Sequence, residues 1–162
     1  MKKIFVLLVA MTTMFAQDVF AQEKPKLTEE QKAEHKAKRE QLMQTRLELL
    51  KTELTLTDEQ MVKFEPVYRE YRKEIGRVTS TNKDARMKKD QITNENALKV
   101  VSARLANQIL TATVKQRYLL VFAEVITPLQ VEKLYKVDEK VSREAGKIVK
   151  YRQTTAAMDA NK

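Results

Sequence analysis

His35 is the only imidazole in the chain, and there is no cysteine. A transition-metal site normally recruits several His or Cys ligands, so His35 with Glu34 or Met43 offers too small a donor set and no metal site is assigned. The same inventory argues against an enzyme: no thiol nucleophile, no Ser–His relay beyond the isolated His35, and carboxylates interleaved with lysines as surface pairs. With only 2 Gly in 162 residues, P-loops, dinucleotide fingerprints and nucleophile elbows have no residues to build them, so no cofactor is expected. What remains is charge. Lys133, Lys136, Lys140, Arg143, Lys147 and Lys150 recur at steps of three and four, which puts six cations on one helical face. Arg69, Arg72 and Lys73 extend the basic character, followed by Arg77, Arg86, Lys88 and Lys89. Such a surface steers anionic partners at long range; the competing reading is a solvated face on which Glu132, Glu139 and Glu144 pair with the lysines.

The elements that carry these cations begin with a repeated local pattern: Leu27-Thr28-Glu29-Glu30-Gln31, Leu56-Thr57-Asp58-Glu59-Gln60, Ile92-Thr93-Asn94-Glu95-Asn96 and Ile126-Thr127-Pro128-Leu129-Gln130. Each reads as a helix start. The Thr hydroxyl can accept from the N3 amide, the Gln side chain can accept from the Thr amide, and carboxylates or Pro suit the first turn. Leu56 with Met61 and Ile126 with Val131 complete the motif as hydrophobic staples. The copies at 27 and 92 are weaker, the first with Lys32 at N4 and the other with Asn96 at N3.

Between these starts the apolar spacing is helical. Met43, Leu47, Leu50 and Leu54 line one helix, and Met61, Phe64, Tyr68, Tyr71 and Ile75 a second. Leu98, Val101, Leu105, Ile109 and Ala112, then Leu119 and Phe122, line a third, expected from Asn94 to Glu124 and about 45 Å long at 1.5 Å per residue. Leu134, Val137, Val141, Ala145 and Ile148 line a fourth. Pro66 removes a donor inside the second helix and should bend it. Gly76 and residues 79–83 mark the expected turn, with the basic run from Asp84 to Asp90 at the hairpin tip. Residues 22–40 are nearly all polar and 154–162 lack a pattern, so both are expected to be frayed or disordered.

Lys2 and Lys3, the apolar run from Ile4 to Met11 and the small-x-small sequence Val19-Phe20-Ala21 form a cleavable export signal over residues 1–21. One helical domain over 22–153 follows, expected in the periplasm. Net charge is +9. For an exported chain that charge points to anionic lipid, acidic polymers or other secreted chains, and nucleic acid is not an expected partner.

The paired Leu-Thr-x-x-Gln at 56–60 and its Ile form at 126–130, separated by long helical segments, resemble the LTxxQ-motif family of small exported stress proteins, the Spy/CpxP-like group. Phe64-Glu65-Pro66-Val67-Tyr68 and Lys133-Leu134-Tyr135 resemble the branch labelled as sensors of extracytoplasmic-function sigma factors. The resemblance spans most of residues 42–152. It implies an all-α, elongated, bent antiparallel hairpin of about four helices that forms an antiparallel homodimer. It further implies an ATP-independent chaperone for unfolded or misfolded envelope proteins, its clients held on the basic surface of Arg69, Arg72, Lys73 and the six cations from Lys133 to Lys150. The alternative is a signalling adaptor or sensor, metal-responsive in some relatives, acting through one partner such as a membrane stress sensor. An anionic membrane surface is a further partner that the lysine face would suit.

Overall fold

Thr28 and Thr57 start helices as their sequences require. In the computed structural model, which describes residues 28–159, each threonine hydroxyl accepts from the N3 amide while the N3 glutamine accepts from the threonine amide. The same pair of bonds forms at Thr127 and Gln130. The copy at 28–31, weaker by sequence, therefore closes its box fully. The copy at 92 does not: the Thr93 amide donates to Asn96 Oδ1, and Asn96 itself is the N-cap, so the third helix starts at Ala97. The expected leader and Leu27 lie outside the described residues.

Four helices result: α1 (Glu29–Glu53), α2 (Asp58–Thr81), α3 (Ala97–Ala123) and α4 (Pro128–Asp159), with two single 3-10 turns, Asp84–Arg86 and Lys89–Gln91, between α2 and α3. The described residues contain no strand. No helix among them is long and apolar enough to cross a membrane. Most interhelical contact is of α1 with α4 and of α2 with α3. α1 ends in a Schellman arrangement: Leu56 N–H donates to Lys51 C=O, Thr55 N–H to Thr52 C=O, and Thr55 takes a φ of 52°. A β-branched residue is costly in that left-handed region, so the tight turn into the second motif is held by its neighbours.

The ends depart from expectation. Residues 29–40 are helical although wholly exposed, held by the capping box and by the pairs Lys32–Glu29 and Lys38–Glu34. α4 continues to Asp159, into the segment from 154 expected to be disordered, and the hydroxyls of Thr154 and Thr155 donate to the carbonyls of Lys150 and Tyr151. Nor does α2 turn at Gly76 or Thr79; the hydroxyls of Thr79, Ser80 and Thr81 bond back to Ile75 and Arg77 carbonyls inside the helix.

The core collects Leu47, Leu50 and Leu54 from the end of α1, Leu56, Phe64, Tyr68, Tyr71 and Val78, then Val114, Phe122, Ile126, Val131, Leu134 and Val141. Its centre is aromatic. The Phe122 ring lies 5.4 to 6.2 Å from those of Phe64, Tyr71, Tyr118 and Tyr135. The spacing on α1, α2 and α4 found these faces. On α3 it found Phe122, which is buried, but otherwise the wrong stripe: Leu98, Val101, Leu105, Ile109, Ala112 and Leu119 are exposed, and the inner residues with Phe122 are Val100, Ala103 and Val114. α3 is apolar on nearly all sides, so periodicity alone cannot tell which of two parallel stripes faces inward. The inner one includes the small residue Ala103, which is buried.

Candidate functional site

The two complete motifs meet. Gln60 Nε2 donates to Gln130 Oε1 at 3.0 Å, and Gln130 Nε2 donates to Gln60 Oε1 at 3.3 Å and to the Leu54 carbonyl at 3.1 Å. Each amide thus closes its own helix start with its oxygen and holds the opposite motif with its nitrogen. Leu56 and Ile126 sit buried beneath them, and Val131 with them. These six motif residues, Leu56, Thr57, Gln60, Ile126, Thr127 and Gln130, are joined as one structural clasp.

A buried polar centre, which sequence reasoning missed, lies about two to three turns further along α2 and α4. Asp138 is 1% exposed and accepts from Tyr68 Oη at 2.7 Å, Tyr71 Oη at 3.2 Å and Arg72 Nη1 at 3.1 Å. Its signal was present: Asp138 stands four after Leu134 and three before Val141, on the apolar face of α4. Val137, expected there, is only half-buried. Burial, and then the charge of Asp138, pushes the Tyr68 and Tyr71 phenols well above the usual tyrosine range. Burial likewise pushes Tyr135 up to about 12; its hydroxyl donates to the Lys115 carbonyl at 2.7 Å.

These phenols give the fold an alkaline limit. Above about pH 10, an unfolded chain releases phenolic protons that the folded chain keeps, so stability falls from there through the titration of Tyr135 near 12. Tyrosinate absorbance of Tyr68, Tyr71 and Tyr135 should appear together with loss of the helical circular dichroism signal. All five tyrosines ionising by about pH 11 with helicity unchanged would contradict this.

The basic residues divide. Arg72, expected on an open binding surface, is only 18% exposed and is committed to Asp138. Arg69 is held by Glu40 at 2.7 Å and Glu65 at 2.8 Å. Both are therefore corrected from surface contacts to structural ones, because α2 turns that side toward α1 and α4. Lys73 remains exposed, 3.4 Å from Glu70. On α4 all six cations are exposed on the side opposite the core. Lys136 pairs with Glu132 and Lys140 with Glu53 of α1, while Lys133, Arg143, Lys147 and Lys150 pair with no carboxylate among the described residues. Of the expected bridging acids, Glu139 turns instead to Lys115 of α3 at 3.9 Å.

Beside this cationic face lies an apolar one. Leu98, Val101, Leu105, Ile109, Ala112, Leu120 and Ala123 recur on an eleven-residue repeat along the outside of α3, Leu98 at 84% and Leu120 at 72% exposure. No charge interrupts it, because every cation of α3 is drawn aside: Lys99 to Asp84, Arg104 to the carbonyls of Ala85 and Met87, Lys115 to Glu139 and Arg117 to Glu74. The stripe runs into a groove of about 600 Å³ between α3 and α4, lined by Leu119, Leu120, Ala123, Pro128, Val131, Glu132, Tyr135 and Lys136. His35 is remote from both. It lines a shallow depression with Lys32, Lys36 and Arg39, a poor setting for a cation, and no cluster of three metal-ligating side chains occurs among the described residues.

Against known proteins, the chain matches no family model, no curated protein and no solved structure.

Proposed function

We propose that this chain is an exported, ATP-independent holdase of the LTxxQ kind that binds non-native envelope proteins and performs no chemistry. One observation carries the reading: an uncharged apolar helix face, exposed along α3, that opens into a groove whose α4 wall carries Lys136 beside Glu132. Contiguous exposed apolar surface of that length marks a contact site. Cations next to it attract acidic segments of many sequences, and apolar burial then retains them, an arrangement that tolerates unrelated clients. The reading includes a bent antiparallel hairpin, with Pro66 as the bend, export to the periplasm through the leader, and a homodimer. The tip half of the stripe, Leu98 to Ile109, is the part assigned to the second copy; its cations are all tucked toward the tip. The groove end, with Leu120, is left to clients.

The test is suppression of aggregation of several unrelated unfolded proteins, without nucleotide, at near-stoichiometric amounts. Leu120→Glu should reduce protection at least about tenfold, the order of one lost apolar contact of about 1.4 kcal/mol or more. Leu105→Glu should instead shift the sedimentation of the free protein to that of a monomer. Near molar salt, where screening falls to about 3 Å, protection should weaken without vanishing. Absence of protection for every client would discard the holdase, and tight capture of a single envelope protein would install the adaptor in its place.

A further inference from the structure

A second cavity, of about 320 Å³, lies between α1 and α2 and collects five cations, Arg39, Arg46, Arg69, Arg72 and Lys73, with no acid in its lining. Their partners do not balance. Glu40 and Glu65 take Arg69, Glu70 takes Lys73 and Asp138 takes Arg72. Arg39 and Arg46 have no carboxylate partner among the described residues. Arg46 makes no side-chain hydrogen bond there, its Nε is buried without an acceptor, and the Nε of Arg72 is orphaned in the same way. A guanidinium cannot shed its proton in a protein, so the charge of a half-buried arginine without a carboxylate partner, beside a second arginine, is offset only in part, by an Asp138 that Arg72 already holds. Burial first, and then the charge of Arg72, disfavours the protonated form of Arg46. An anion in the cleft would offset the charge of both guanidiniums.

We propose that the α1–α2 cleft is a binding site for an oxyanion of the phosphate class, received by the forks of Arg46 and Arg39, with the positive charge of Arg72 beside them. A dianion matches two unpartnered guanidiniums where a single carboxylate would match one, and each fork can take two oxygens of a tetrahedral group. Leu42 and Met43 form an apolar wall beside the cations, and the floor at Gly76 is open, with nothing within 4 Å of where a Cβ would stand. The site is separate from the groove and the lysine face of α4 and does not depend on the holdase reading.

Calorimetric titration of the full chain with inorganic phosphate at fixed ionic strength tests this, with chloride as the matched control. One saturable site per chain is expected, with affinity falling at least about tenfold in Arg46→Gln and severalfold in Arg39→Gln, and unchanged in the α4 variant Lys133→Gln/Lys147→Gln. Glycerol phosphate and vesicles containing phosphatidic acid, set against phosphatidylcholine, distinguish a free anion from a lipid headgroup as its source. Arg39 is exposed, so Arg39→Gln serves if Arg46→Gln fails to fold. Binding that chloride reproduces, that survives the loss of these arginines, or that the α4 variant abolishes would overturn the proposal.

Discussion

Replacing Asp138 by alanine is expected to destabilise the fold by about 3–5 kcal/mol, the range for removing one partner of a buried ion pair. Three donors lose their acceptor at once: the hydroxyls of Tyr68 and Tyr71 and the guanidinium of Arg72. The charge of Asp138 is also what offsets Arg46 in the same interior. Without it, the repulsion between Arg46 and Arg72 has no buried acid to offset it. Asp138→Asn keeps an acceptor oxygen and removes only the charge, so it should lose less. Urea denaturation measures both. A loss under about 1 kcal/mol for the alanine variant would mean that Arg72 reaches water instead, and that the polar centre does not hold α2 to α4.

The second large effect is at Phe122. Its ring is fully buried and meets Phe64, Tyr71, Tyr118 and Tyr135, so Phe122→Ala opens a cavity where three helices converge. The expected cost is about 3–5 kcal/mol, with loss of the near-UV dichroism of the aromatic cluster. Two residues earlier, Leu120 is 72% exposed, and Leu120→Ala should stay within about 0.5 kcal/mol of the parent. Chemical denaturation of the pair separates the faces of α3. Equal losses at both positions would mean that the outer stripe is covered within the same chain.

That pair also marks the boundary of what the residues disclose on their own. The all-helical class, the starts of α2 and α4, and the core faces of three helices were legible, because capping side chains act locally and a one-sided helix declares its buried face. α3 was not legible in this sense. Its apolar residues satisfy two parallel stripes, and only the core that the other helices bring against Val114 and Phe122 chooses between them. Asp138 went unread, since a buried acid is recognisable only when its three donors, from 66 to 70 residues earlier in the chain, are brought beside it. The exposed first turns of α1 were hidden for the opposite reason: they form with no core to announce them. Of the basic positions, the α4 face was legible as a surface, whereas Arg69 and Arg72 were indistinguishable from it until their carboxylates came into view.

The joined amides of Gln60 and Gln130 explain a choice of residue that helix capping alone leaves open. Glutamate caps a helix as well as glutamine does. But a carboxylate has nothing to donate, and two of them at this spot would repel across the gap that the amides now bridge. The letter Q in each motif is therefore addressed to the other motif, seventy residues away. Gln31, whose side-chain bond is to its own Thr28, is under no such obligation, and there the two spellings would serve alike.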